Sequence, residues 1–236
     1  MRGSLSLAFA FLAMGAFVGM AATSADAGTI IKLSLGDDAA SPDITFNGAV
    51  LSTANDGGPG TGDQQTNVEF LDFLASETDI TNGSASFSLT GLAVSGAAQT
   101  FGGFLVIQNF LGGTFDLYDG ADVLLLSGDL DASTLTGPIG PPATGALFTT
   151  TFGSITGGTL APQISSDTLT LAITFTSINN GAGFGVSGVM PNQTLNSFTA
   201  DASVIIAADP IPEPATLALA MLGLFAAGTC CSRRVR

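Results

Sequence analysis

Apolar and polar positions alternate with a period of two along much of the stretch between Gly28 and Ala208, and that period predicts strands. The clearest case runs from Thr168 to Thr176: Leu169, Leu171, Ile173 and Phe175 share one face, and Thr168, Thr170, Thr174 and Thr176 the other. Ser84 to Thr90 and Phe198 to Ile206 alternate in the same way, as half-buried antiparallel strands do. Two runs, Phe104–Ile107 and Val123–Leu126, are apolar without alternation, which suits strands covered on both faces or deep in a sandwich. Asn67 to Leu74 fits either a strand or a short helix, and its Phe and Val content favours the strand. Glycine pairs and Asp-Gly or Ser-Gly steps at Gly102-Gly103, Gly112-Gly113, Asp119-Gly120 and Ser127-Gly128 recur at meander spacing and predict turns. Glycine- and proline-rich stretches at 54–63 and 137–145 read as surface loops, the second a candidate divider between two sub-blocks. Gly112-Gly113-Thr114-Phe115 and Gly157-Gly158-Thr159-Leu160 share a turn-and-strand-start pattern. The middle of the chain is therefore expected to be an all-β, antiparallel, sandwich-like domain over 28–208.

The two ends break this pattern. Residues 1–27 carry Arg2, then an apolar run from Leu5 to Ala22, then Ala25-Asp26-Ala27 before Gly28. Small residues at both Ala positions suit a signal peptidase, so residues 1–27 read as a signal peptide cut between Ala27 and Gly28; a retained anchor helix is the competing reading. At the far end, residues 209–214 form a linker dense in proline, which fits neither a helix interior nor a central strand. Residues 215–231 follow as an apolar stretch which, as a helix, would be roughly 25 Å long and just able to span a hydrocarbon core. Residues 232–236 end the chain with Arg233, Arg234 and Arg236, and arginines there keep that end cytoplasmic and the preceding domain outside.

Pro212-Glu213-Pro214, one short hydrophobic span and a terminal arginine cluster, in that order, resemble the PEP-CTERM sorting signal of exopolysaccharide-producing bacteria. The resemblance implies that exosortase, a membrane cysteine protease or transpeptidase, is a partner and processes the chain near Pro214. It further implies an inner-membrane-anchored precursor that ends at the cell surface, in the outer envelope or in the extracellular matrix. It covers only the C-terminal tenth or so of the chain and describes sorting, not what the β domain binds.

Charge and chemistry narrow the role of that domain. Of 19 acidic residues only Asp26 precedes Gly28, while Lys32 is the one basic residue from Gly28 to Pro214, so this stretch carries roughly −17. Such a surface repels nucleic acid and anionic lipid and suits either solubility or cation binding. Cys230 and Cys231 are adjacent and lie beside the terminal arginines, so no disulfide staples the domain. The chain has no His and no Trp, which excludes Ser-His-Asp, Cys-His and His-ligated metal chemistry. A carboxylate-pair glycosidase survives as a rival reading, weakened by the scarcity of stacking aromatics, and no catalytic residue is assigned.

Asp116, Asp119 and Asp122, spaced by three around an expected hairpin turn, are a weak candidate Ca²⁺ site. Asp129 with Asp131, and Asn55 with Asp56 and Asp63, are further loose clusters, and ordinary turn preferences explain all three as well or better. Hydroxyl-rich strand faces suit either water or hydrated polysaccharide. The expectation is a non-enzymatic, exosortase-sorted surface or matrix protein associated with exopolysaccharide or the cell envelope. A calcium- or glycan-binding extracellular module is the alternative.

Overall fold

Alternation becomes structure most directly where β-branched and aromatic residues cluster. The computed structural model describes residues 28–35, 41–57, 60–75, 84–141, 145–164 and 169–208. The expected signal peptide, linker, membrane helix and basic tail lie outside them. Among the described residues no helix is long and apolar enough to cross a membrane.

The strands, in chain order, are β1 (Gly28–Leu35), β2 (Ile44–Phe46), β3 (Val50–Thr53), β4 (Gln64–Phe70), β5 (Ser84–Thr90), β6 (Leu92–Ala93), β7 (Gln99–Phe101) and β8 (Leu105–Phe110). They continue as β9 (Gly113–Asp119), β10 (Leu124–Leu130), β11 (Ser133–Pro138), β12 (Ala146–Gly157), β13 (Thr170–Thr176), β14 (Val186–Ser187), β15 (Thr194–Leu195) and β16 (Phe198–Ala208). Two 3-10 turns, Asp72–Leu74 and Ala161–Gln163, are the only helical segments among the described residues.

Every ladder between these strands is antiparallel, and the ladders close on themselves. From β16 the neighbours run through β1, β4, β5, β9, β10, β12 and β13 and return to β16. Closure leaves this ring without a free edge. The long strands make it possible: the second half of β12 pairs with β10, and its first half pairs with β11 and β13. Likewise the end of β16 pairs with β1 and its start with β2. Strands β2, β3 and β6 extend the sheet on one side and β11, β8 and β7 on the other. The result is an all-β, antiparallel fold in which the sandwich layers merge into a barrel.

Phenylalanines fill the interior. Phe46, Phe110, Phe148, Phe175 and Phe198 form a closed ring of edge-on, tilted and stacked contacts with centroids 5.4 to 6.5 Å apart, and Phe184 packs on Phe198 at 4.8 Å. A second cluster joins Phe87, Phe115 and Phe152. Offset and edge-on geometries are those the aromatic quadrupole prefers.

In β13, Leu171, Ile173 and Phe175 are buried, Thr170, Thr174 and Thr176 exposed, as the alternation predicts; Leu169 is buried just before it, and Thr168 lies outside the described residues. Elsewhere tertiary contacts override the pattern. Ser86 of β5 is buried because Gly62 N–H donates to its Oγ at 3.1 Å, so the glycine loop covers the outer face there. The run Phe104–Ile107 is not covered on both faces: Phe104 is exposed in the hairpin turn before β8, and in β8 Val106 is buried while Leu105 and Ile107 are only half-buried. In Val123–Leu126 only Leu125 and Leu126 are fully buried. A register shift between Leu124 and Leu126 turns both inward, and residues 159–160 hydrogen-bond across Leu124 and Leu125.

Asn67–Leu74 divides between β4 and the 3-10 turn, so both readings of it are partly realised. Ser127-Gly128 is not a turn. Gly128 lies inside β10, where a Cβ would sit 2.5 Å from the Phe152 ring, so the glycine permits close packing. Gly112-Gly113 opens β9, whereas Gly157-Gly158 leaves β12 for a 3-10 turn, so the shared pattern starts a strand at the first place only. The 137–145 stretch divides nothing: Gly137 and Pro138 belong to β11, and residues 28–208 belong to one compact unit.

Candidate functional site

The sorting residues Pro212, Glu213, Pro214, Arg233, Arg234 and Arg236 lie outside the described residues, as do Ala25 and Ala27. What the structure places is the point from which they leave the domain. Gly28, the first residue of β1, is the register partner of Ala208, the last residue of β16. Gly28 and Ala208 therefore lie side by side on one rung of the barrel.

The three aspartates considered for Ca²⁺ are drawn into separate local tasks. Asp119 Oδ1 accepts from the backbone N–H groups of Ala121 and Val123, both at 2.8 Å, closing the β9–β10 turn. Asp122, at φ +62°, accepts from Thr61 N–H at 2.8 Å and holds the glycine loop against that turn. Asp116 stands within β9 between Ser88 and Ser127 on the neighbouring strands. Among the described residues no group of three or more His, Cys, Asp or Glu is arranged to hold a metal ion.

The other acids also stitch strands and loops. Asp63 accepts from Thr53 Oγ1 at 3.0 Å and its N–H donates to Ser88 Oγ. Asp129 accepts from Ser154 Oγ at 2.9 Å, and Asp131 from Thr151 Oγ1 at 2.7 Å, across the β10–β12 side of the barrel. Tyr118 is half-buried beside Asp116; desolvation, and then the nearby carboxylate, raise its pKa above the usual 10.

Sequence reasoning missed Asp43. Its side chain is 5% exposed, and Oδ2 accepts from Ala202 N–H at 2.7 Å while its own N–H donates to Ala200 O. The carboxylate pins the approach to β2 onto β16. Nothing local in Ser41-Pro42-Asp43-Ile44 marks that role, because its partner lies 159 residues away.

The outer face of β11, β12, β13 and β16 carries rows of hydroxyls. Thr136, Leu147, Thr174 and Ser203 form one row across it, and Thr134, Thr149, Ala172 and Ile205 the next. Thr149, Thr151, Thr170, Thr174 and Ser203 are exposed, as are Leu147 and Ile205. At one end of these rows lies an open groove of about 480 Å³ lined by Phe104, Leu105, Pro138, Ala146, Leu147 and Thr174. The face thus combines hydroxyls with small apolar patches and carries little charge.

No curated protein and no solved structure matches the chain. One family model does, and it confines itself to the end that follows β16. The chain carries, at residues 210–234, the PEP-CTERM protein-sorting motif, which marks an exported, membrane-anchored precursor processed by exosortase.

Proposed function

We propose that residues 28–208 act as a non-enzymatic surface or matrix domain, which exosortase delivers outside the inner membrane and which associates with exopolysaccharide or the cell envelope. The observation that carries this reading is position: β16 ends at Ala208, and the sorting motif begins at residue 210, so the folded domain is the cargo of the sorting tail. Two features support the finer role. The composition lacks His throughout and Cys before residue 230, which removes the common nucleophile–base pairs. The hydroxyl rows with interspersed Leu147 and Ile205 match the mixed polar and C–H surface of a sugar chain.

Replacing Pro212-Glu213-Pro214 with alanines tests the sorting step by intact mass and fractionation. The expected variant keeps the residues that follow the motif and stays with the membrane, whereas the wild type loses them. A wild-type product that retains residues 215–236 would refute processing. Polysaccharide association is tested by comparing producing and non-producing cells: release of the domain into the medium when polysaccharide is absent supports it, and unchanged partition counts against it.

A further inference from the structure

Asp72 is aimed at the first residue of β1. A Cβ built on Gly28 would lie 2.6 Å from Asp72 Oδ2 and 3.6 Å from its Cγ, so the exposed Asp72 carboxylate rests against the bare Cα of Gly28. Since a Cα–Cβ bond is about 1.5 Å, that oxygen lies within about 4 Å of Gly28 Cα. Asp72 reaches this position with φ +53°, a left-handed conformation unusual outside glycine. The turn it opens is tied to β1 by Leu71 N–H donating to Ile30 O at 2.8 Å and closed by Ala75 N–H donating to Asp72 O at 3.0 Å.

No side-chain cation among the described residues answers this carboxylate. Lys32, the one basic residue between Gly28 and Ala208, lies 3.7 Å from Glu69, its own register partner. A strand start without a side chain, a carboxylate beside it on a turn tied to β1, and a scarcity of cations together suit a positively charged chain terminus.

We propose that signal-peptide removal completes this site: the α-ammonium created at Gly28 pairs with the Asp72 carboxylate and clamps the start of β1 beside the end of β16. The proposal rests on cleavage between Ala27 and Gly28, and not on exosortase processing at the other end. Hydrolysis of that peptide bond consumes one water, leaves a carboxylate on Ala27, and leaves on Gly28 an amine that takes up a proton below its pKa. The new charge appears only on the mature protein, so export and the final stitch of the barrel are coupled.

The sign of the pH effect follows. Pairing raises the pKa of the amine in the folded state above its unfolded value near 8. Its contribution to stability is therefore fully present below about pH 8 and is lost as pH rises through the raised folded value. The test uses the full chain, expressed with its signal and recovered after export, as wild type and Asp72→Asn; asparagine tolerates the left-handed backbone but carries no charge. N-terminal sequencing is expected to begin at Gly28. Amine pKa, from pH-dependent acetylation of the terminus, is expected to be raised by about half a unit in the wild type and ordinary in the variant. The wild type should melt above the variant at pH 7, and this gap should close by pH 10. A product beginning elsewhere overturns the proposal at the cleavage step. An ordinary amine pKa, or a melting gap that does not change with pH, overturns the pairing even when Gly28 is the first residue, because a purely structural Asp72 would behave that way.

Discussion

Removing the Phe198 ring should cost the domain more than almost any other single truncation. Phe198 is 3% exposed and touches Phe46 at 5.4 Å, Phe175 at 6.1 Å and Phe184 at 4.8 Å, so it closes the aromatic ring and holds the separate Phe184 against it. Phe198→Ala removes that apolar area and leaves a cavity between strands that are hydrogen-bonded on both sides, so collapse is restricted. The expected loss is about 4 kcal/mol. For a domain of roughly 180 residues this corresponds to about 10 °C in melting temperature. Phe198→Leu, which keeps most of the volume, should lose about 1.5 kcal/mol. A double-mutant cycle with Phe184→Leu should return a coupling of about 1 kcal/mol. The assay is urea unfolding followed by far-UV circular dichroism, because the chain has no Trp and one Tyr. Phe104→Ala is the control, since that ring is 67% exposed. If Phe198→Ala loses under about 1 kcal/mol, or no more than the control, the aromatic ring does not organise the core.

The single Tyr118 gives a clean spectroscopic titration: its absorbance midpoint should lie above 10, and Asp116→Asn should lower it only in part, because desolvation is the larger cause. Because the folded pKa is raised, the tyrosine's contribution to stability is present below about pH 10 and lost as pH climbs through the folded value; a midpoint at or below 10 contradicts this. Asp43→Ala strands the Ala202 N–H and should cost about 2 kcal/mol, with faster hydrogen exchange at that amide. Asp43→Asn can still accept that bond and should lose less; equal losses would show that the hydrogen bond is not what matters.

Much of the architecture was legible along the chain because a two-residue period states which side of a sheet each residue occupies. The strand Thr170–Thr176, and β5 apart from the burial of Ser86, could be read without any partner in view. The sorting tail was equally legible, since tripeptide, apolar span and arginines are adjacent in sequence and need no fold to meet.

Burial of Ser86, exposure of Phe104 and the inward turn of both Leu125 and Leu126 depend on a loop, a hairpin and a register shift, and none of these is written in the local pattern. Nor could the sequence say that Asp119 and Asp122 would hold two different backbone segments, although their spacing of three drew them together on paper. Closure of the ladder from β16 back to β13, and the meeting of Asp43 with Ala202 and of Asp72 with Gly28, join residues far apart in the chain. Periodicity specifies a face but not a neighbour, and only the folded chain, by choosing which strands lie side by side, decided which acids would stitch the barrel and which would lie beside its first strand.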